Sequence, residues 1–260
     1  MSDYICTIGL DEAESEELGK ILGQPLIAHI SLPRIRVEDD RLWVEGSNSA
    51  RLFPVSKVIF HGIYEDDLDF IGALALWGGA CLPNPFAMLD CRLKLPCLAR
   101  ALRYTHFPVP GRGYAAPYVR LNPDHEMVAK WGNWHCGENK ERFSGGWTAE
   151  QPSIIEPFLA GQAVRVVIIG DQAWQIRLAG DNWLQSIHHP AADFMPLDAD
   201  LLADAHRIKA GFGLEIMAND YLITEQGTKH LLEVNHIPNV SRFPELWAAY
   251  RDYVVGWVRT

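Results

Sequence analysis

Three residues late in the chain are of the types that hold a hard cation. Glu233 and Asn235 stand two apart in the apolar run "LLEVNHIPN", which Pro238 closes. Residues i and i+2 of a strand point to one face, so an acid and an amide would lie side by side. Asp220 sits at the start of the preceding run "NDYLIT", and Gln226-Gly227 reads as the turn of a hairpin between the two. Antiparallel pairing then brings Asp220 beside Glu233 and Asn235. Such an all-oxygen cluster suits Mg2+, with phosphate oxygens completing the shell. The competing reading is a solvated strand end followed by an Asn turn.

Phosphate would need cations nearby. The chain has only seven lysines. Lys130 follows "MVA" and precedes Trp131-Gly132, which places it on an apolar strand at the lip of the loop "WGNWHCG". A lysine there can reach phosphate oxygens as a point charge, and Gly132 and Gly137 leave space for backbone amides to approach them. Lys94, in "CRLKLP", also has apolar neighbours. Both lysines could instead snorkel to water along their stems. Arg165 in "AVRVVII" and Arg177 in "WQIRLAG" flank a turn at Gly170-Asp171. Strand alternation can aim one or both into a groove, where a guanidinium stabilises a transferring phosphoryl group, or onto a surface carboxylate. In "IIEPFLAG", Glu156-Pro157-Phe158 interrupts an apolar strand, which suits either a connector between two lobes or an edge strand ending at proline.

These residues need particular elements to hold them. "SKVIFHG", "EDDLDFIGALALWGG" and "ACLPNP" read as strand, helix and strand, with Gly78-Gly79 stopping the helix. "AMLDCRLKLPCLARALRY" is helical in pattern, interrupted at Pro96, and "THFPVPGRGYAAPY" is a Pro/Gly-rich connection and the best domain boundary. The following region is strand-rich, "DADLLADAHRIKAGFG" is an amphipathic helix with Gly past its end, and "PELWAAYRDYVVGWV" is a closing helix. The order is α/β first and then α+β.

The whole-chain totals set outer limits. A chain of 260 residues is long enough for one or two domains with a full core. A formal net charge of -10 argues against non-specific binding to nucleic acid or an anionic membrane. The five cysteines are odd in number and form no CxxC pair, which fits reduced thiols. "MSDYICTIGLDEAESEE" is acidic and has no apolar signal core, and no apolar run is long enough to span a bilayer. A cytoplasmic protein is expected.

Taken in order, "GGACLPNPFAMLDCRLK", "VAKWGNWHCG", "IIEPFLAGQAVRVVIIGD" and "NDYLITEQGTKHLLEVNHIPN" resemble the ATP-grasp superfamily. The nearest resemblance is to ligases related to glutathione synthetase and the ribosomal-protein glutamate ligases. It covers roughly residues 75–240, and the last block is its most specific part. The resemblance implies a short pre-grasp α/β domain (1–88), a small ATP-grasp lobe (89–155) and a large lobe with the metal site (156–260). It implies that Lys94 and Lys130 bind ATP, that Glu156, Pro157 and Phe158 form the hinge reading adenine through backbone, and that Asp220, Glu233 and Asn235 hold two Mg2+ ions. Arg165 and Arg177 would then lie near the γ-phosphate and the reacting acyl group. Dimers are common in the resembled family, so a homodimer is an open possibility.

The implied reaction joins a small-molecule or peptide carboxylate to an amine through an acylphosphate, with the loop from Gly132 to Gly137 as a lid. His236, Ser241 and Arg242 would border the substrate or serve structure alone. Two alternatives stay open: a grasp-type kinase acting on a hydroxyl, and a non-catalytic ATP-binding module. The sequence also departs from the family. "GQAV" replaces the acid expected near the ribose, and "GNWHCG" is bulkier than the usual glycine-rich loop. His135 and Cys136 in that loop are either substrate or lid contacts or packing.

Overall fold

A computed structural model describes residues 4–132 and 139–260. The N-terminal unit runs β1 (Tyr4–Ile8), α1 (Glu12–Leu22), β2 (Leu26–His29), β3 (Ile35–Glu38), β4 (Arg41–Gly46), β5 (Ser49–Phe60), α2 (Asp67–Trp77) and β6 (Ala80–Leu82). Strand β1 pairs parallel with β2 and β5, and β5 pairs parallel with β6 across α2. The expected strand–helix–strand unit is therefore present. The sheet is mixed, because β3, β4 and β5 form an antiparallel meander that periodicity did not reveal. Local chemistry sets the helix ends. Asp11 and Glu14 form a reciprocal capping box on α1, and left-handed glycines at 23 and 78 close α1 and α2.

Two short helices follow, α3 (Pro85–Arg92) and α4 (Lys94–Ala101). The break falls at the extended Leu93, not at Pro96, which sits in the first turn of α4 where no intrahelical N–H is needed. Next come β7 (Gly113–Ala115), β8 (Arg120–Leu121), β9 (Met127–Trp131), β10 (Lys140–Phe143), β11 (Trp147–Thr148) and β12 (Ser153–Pro157). Four of them make a sheet in the order β10-β9-β12-β7. Alternation sorts its two faces. Ala129, Phe143 and Ile155 turn into a small core, while Val128, Lys130, Lys140 and Glu156 face the other way by register.

The last unit holds β13 (Gly161–Ile169), β14 (Gln172–Arg177), β15 (Asp193–Met195), α5 (Ala199–Phe212), β16 (Ile216–Thr224), β17 (Lys229–Asn235) and α6 (Pro244–Arg259). Its sheet order is β15-β14-β13-β16-β17, all antiparallel. Gly170-Asp171 turns β13 into β14 as expected. Asp198 caps α5 and Gly213 ends it. One face of this sheet packs Val164, Val166 and Ile168 against Leu201, Ala205 and Ile208 of α5 and against Cys91, Cys97 and Ala101 of α3 and α4. The expected boundary at 88/89 falls within α3, whose Ala87 and Cys91 pack in this core together with Cys97 and Ala101 of α4. On the other face, α6 packs Leu246, Tyr250 and Val254 between the large sheet and Ile5, Leu18 and Ile59 of the N-terminal unit.

Candidate active site

The hairpin of β16 and β17 sets the first part of the site. Asp220 pairs directly with Glu233, and the next pair is Tyr221 with Leu231, so Leu232 is an extra residue in β17. This bulge lies beside the carboxylates, where bulges commonly re-aim side chains. Asn235 pairs with Ala218, two residues before Asp220, and so shares the face of both acids. Asp220 is in mid-strand, because β16 begins at Ile216 and not at Asn219 as the run "NDYLIT" suggests. On its other side, Asp220 pairs with Arg165 of β13. Arg165 Nε and Nη2 donate to Asp220 Oδ1 and Oδ2 at 2.6 and 2.8 Å. Arg165, Asp220 and Glu233 thus form one row across three strands. Burial opposes the Arg165 charge, but Asp220 and then Glu233 outweigh it and hold its pKa above the ordinary value.

The four-stranded sheet and α4 supply further cations. Lys130 and Lys140 are directly opposite on β9 and β10. Lys94 is the first residue of α4 and shares a narrow space with Lys130 and Glu233. Lys130 pairs with the buried Glu156 carboxylate, which also accepts from Arg112 Nε at 2.9 Å. Arg112 reaches on to the Leu231 carbonyl and so ties β12 to β17. Burial works against the Glu156 charge, yet Lys130 and Arg112 together hold its carboxyl below the usual value. The hinge role expected of Glu156 is one for its backbone; its side chain is the counter-ion of two cations.

Two cavities meet here. One, of about 510 Å3, lies under the connection from Pro157 to Gly161 and has apolar walls that include Val128, Leu222, Leu232 and Trp183. Its volume is typical of small-molecule sites. At Gly161 a Cβ would stand 2.3 Å from the Ile223 carbonyl oxygen, so this close strand approach requires glycine. The second, of about 360 Å3, holds Arg165, Asp220, Glu233 and Asn235 and extends to His61 and Ser241. Lys140, Gln185 and Ser186 line both cavities. An apolar end, a cationic middle and an oxygen-rich far end match the chemical order of a base, a phosphate chain and bound cations.

The fit of a metal can be tested on these residues. Among the described residues no cluster of three or more His, Cys, Asp or Glu is arranged to hold one. The set available is two carboxylates and one carboxamide, all hard oxygen donors of the kind that bind Mg2+ jointly with phosphate. Asn235 is buried and its amide nitrogen lacks a hydrogen-bond partner among the described residues, while its amide oxygen is the atom able to ligate a cation. The donor chemistry fits Mg2+.

Several expected residues do not join this group. Val164 pairs with Arg177, and Arg165 with Ile176, so Arg177 faces away from Arg165; it is exposed and lines neither cavity. His236 is fully buried and lines neither cavity. Arg242 stacks over Phe243 at 4.9 Å. Ser241 does reach the acidic cavity, where its hydroxyl donates to Glu14. Phe158 N–H donates to the Glu126 carbonyl at 2.9 Å, so it is already engaged. Gly132 follows β9 with a φ of +71°; Gly137, His135 and Cys136 lie outside the described residues. In "GQAV", Gln162 binds the Leu178 carbonyl and the Gln185 side chain and so anchors the cavity wall. Lys140, Arg112 and the 183–186 wall were missed. The scarcity of lysine was the one signal that could have pointed to Lys140.

No family model and no curated protein matches the chain. Solved structures do match, and they define the architecture: this chain has the ATP-grasp fold. The ATP-grasp ligase PsnB, solved with a minimal precursor, superposes with a TM-score of 0.67 at 15% identity, covering 99% of this chain and 100% of PsnB. D-alanyl-alanine synthetase A from Vibrio cholerae gives 0.68 at 14% identity, with 100% and 98% covered. The macrocyclase MdnC from Microcystis aeruginosa, bound to its precursor peptide MdnA, gives 0.66 at 14% identity, with 97% and 99% covered.

Proposed function

We propose that this protein is an ATP-dependent ligase that joins a carboxylate to an amine. The observation that carries the reading is the junction of the two cavities, with the Arg165–Asp220–Glu233 row on one side and Lys130 and Lys140 on the other. In this reading adenine lies under Pro157–Ala160 and the phosphates run past Lys94 and Lys130 toward Asp220, Glu233 and Asn235. Structures similar in fold support the nucleotide and the ion, since PsnB has been solved with Mg and ADP and with AMPPNP. Precursor peptides bound by PsnB and MdnC make a peptide carboxylate or amine the first substrates to try.

The chemistry requires placement and charge compensation more than covalent catalysis. A carboxylate oxygen forms a bond to the γ-phosphorus, the bond to the β,γ-bridging oxygen breaks, and ADP leaves with that electron pair. The amine nitrogen then bonds to the acyl carbon, inorganic phosphate leaves, and the nitrogen gives up a proton. Asp220, Glu233 and Asn235 would hold Mg2+, which supplies Lewis-acid compensation of phosphate charge. Lys94 and Lys130 orient the nucleotide. Arg165 holds the Asp220 carboxylate in place through two hydrogen bonds. The apolar wall at Trp183 and Leu232 limits water around the bound nucleotide.

The test is a screen for ADP release over paired carboxylates and amines, including peptides, with hydroxylamine added to trap acylphosphate as hydroxamate. Amide formation with equal ADP and phosphate is the expected result. A phosphorylated product without amide would make the protein a kinase, and ATP binding without any turnover would make it a non-catalytic module.

A further inference from the structure

Lys140 is a cation of the site that the sequence motifs do not assign. It stands on β10, directly opposite Lys130, and it is half-buried. It has no ion-pair partner among the described residues, whereas Lys130 is neutralised by Glu156. Partial burial of this ammonium is costly, and a second lysine across the strand pair adds repulsion, while Asp220 and Glu233 of the same cavity offset part of that cost. A phosphate anion in the cavity would offset the rest. Lys140 also lines both cavities, while Lys130 borders the apolar one and is absent from the acidic one. A nucleotide with its base under the hinge and its last phosphate at Asp220 and Glu233 therefore passes Lys130 first and Lys140 second.

We propose that Lys140 binds the distal phosphates of the nucleotide, contacting β- and γ-phosphate oxygens from the β10 side of the cleft. The inference rests on the nucleotide reading of the site and adds a residue and a division of labour to it. Lys130, already paired, serves the proximal phosphates. Lys140, without an ion-pair partner among the described residues, gains a charge-assisted contact only when the distal phosphates are present. The neighbouring acids suggest a rival role, in which Lys140 is a structural counter-ion for Glu233 and Asp220.

The two roles separate by experiment. Binding of AMP, MgADP and the non-hydrolysable MgAMPPNP to the full chain is measured by calorimetry for wild type, Lys140→Met, Lys140→Gln and Lys140→Arg. The expected result is a loss of about 10- to 100-fold for MgAMPPNP and MgADP in Lys140→Met, the range for a hydrogen bond to a charged group, with AMP affinity within about twofold of wild type. Lys140→Arg should recover part of the loss. Thermal unfolding without nucleotide should show Lys140→Met equal to or above wild type, because a partly buried cation opposite a second lysine has been removed. Unchanged MgAMPPNP affinity, or equal losses for all three nucleotides, overturns the proposal. A fall in the unfolding temperature without nucleotide, shared by Lys140→Gln, supports the counter-ion role and also overturns it. Failure of the wild type to bind any of the three would instead refute the nucleotide site itself.

Discussion

Arg165 and Asp220 face each other across β13 and β16 and are joined by two parallel hydrogen bonds of 2.6 and 2.8 Å. Both side chains are largely shielded, at 10% and 14% exposure. Removing one partner strands the other charge. Arg165→Leu is expected to cost about 3–5 kcal/mol in urea unfolding, and Arg165→Leu with Asp220→Leu should recover most of it. Additive losses in the double variant would show that the pair is not coupled.

Asp220→Asn combined with Glu233→Gln tests the metal assignment. Mg2+-dependent turnover is expected to fall by at least about 100-fold, the order seen when a preorganised charge-stabilising group is lost. Nucleotide affinity measured in EDTA should stay near that of the wild type. Turnover that keeps its Mg2+ dependence would place the ion elsewhere.

Glu156 gives a pH signature. Its folded pKa lies below the ordinary value of 4.5, so the unfolded chain binds more protons through that window. The resulting stability is complete above pH 4.5 and disappears as the pH falls below it through the folded value. In Glu156→Gln this contribution is absent, and its unfolding free energy should vary less with pH on the acid side. An unchanged acid limb would mean that Lys130 and Arg112 do not stabilise the carboxylate.

Arg177→Ala should be nearly silent. The side chain is exposed on the face away from Arg165. Exposed substitutions usually change stability by no more than about 0.5 kcal/mol, and because Arg177 lines neither cavity its loss should leave kcat/KM within about twofold of wild type. A loss of ten times or more would return Arg177 to the reacting centre.

Most of the elements around the site are legible in the sequence because their signals are local. Gly170-Asp171 marks a two-residue turn, Asp198 and Gly213 frame α5, and the apolar runs on either side of Gln226-Gly227 form a hairpin. The site's all-oxygen corner follows from that hairpin. The orientation of Arg177 was legible in principle. With Ile169 paired to Gln172, counting outward brings Arg165 to Ile176, and Arg177 falls one residue out of step and faces away. The role of Glu156 was not legible, since its partners Arg112 and Lys130 are distant in sequence and meet only when β7, β9 and β12 assemble. The packing of α3 and α4 against α5 is likewise a tertiary outcome, because an amphipathic pattern shows that a face is buried and not what buries it.

The four-stranded lobe has a slender core of Ala115, Ala129, Phe143, Ala149 and Ile155, while the sheet of β13–β17 is packed on both faces. Local opening free energy follows such differences in buried apolar contact. Backbone amides of β9 and β12 should therefore exchange with deuterated solvent well before those of β13 and β16. Lys130 and Lys140 stand in the fast-exchanging part, and the carboxylate row stands in the slow part. A phosphate chain held between them would couple the two parts, and the resulting slowing of exchange would spread across the whole small sheet, far beyond the residues it touches.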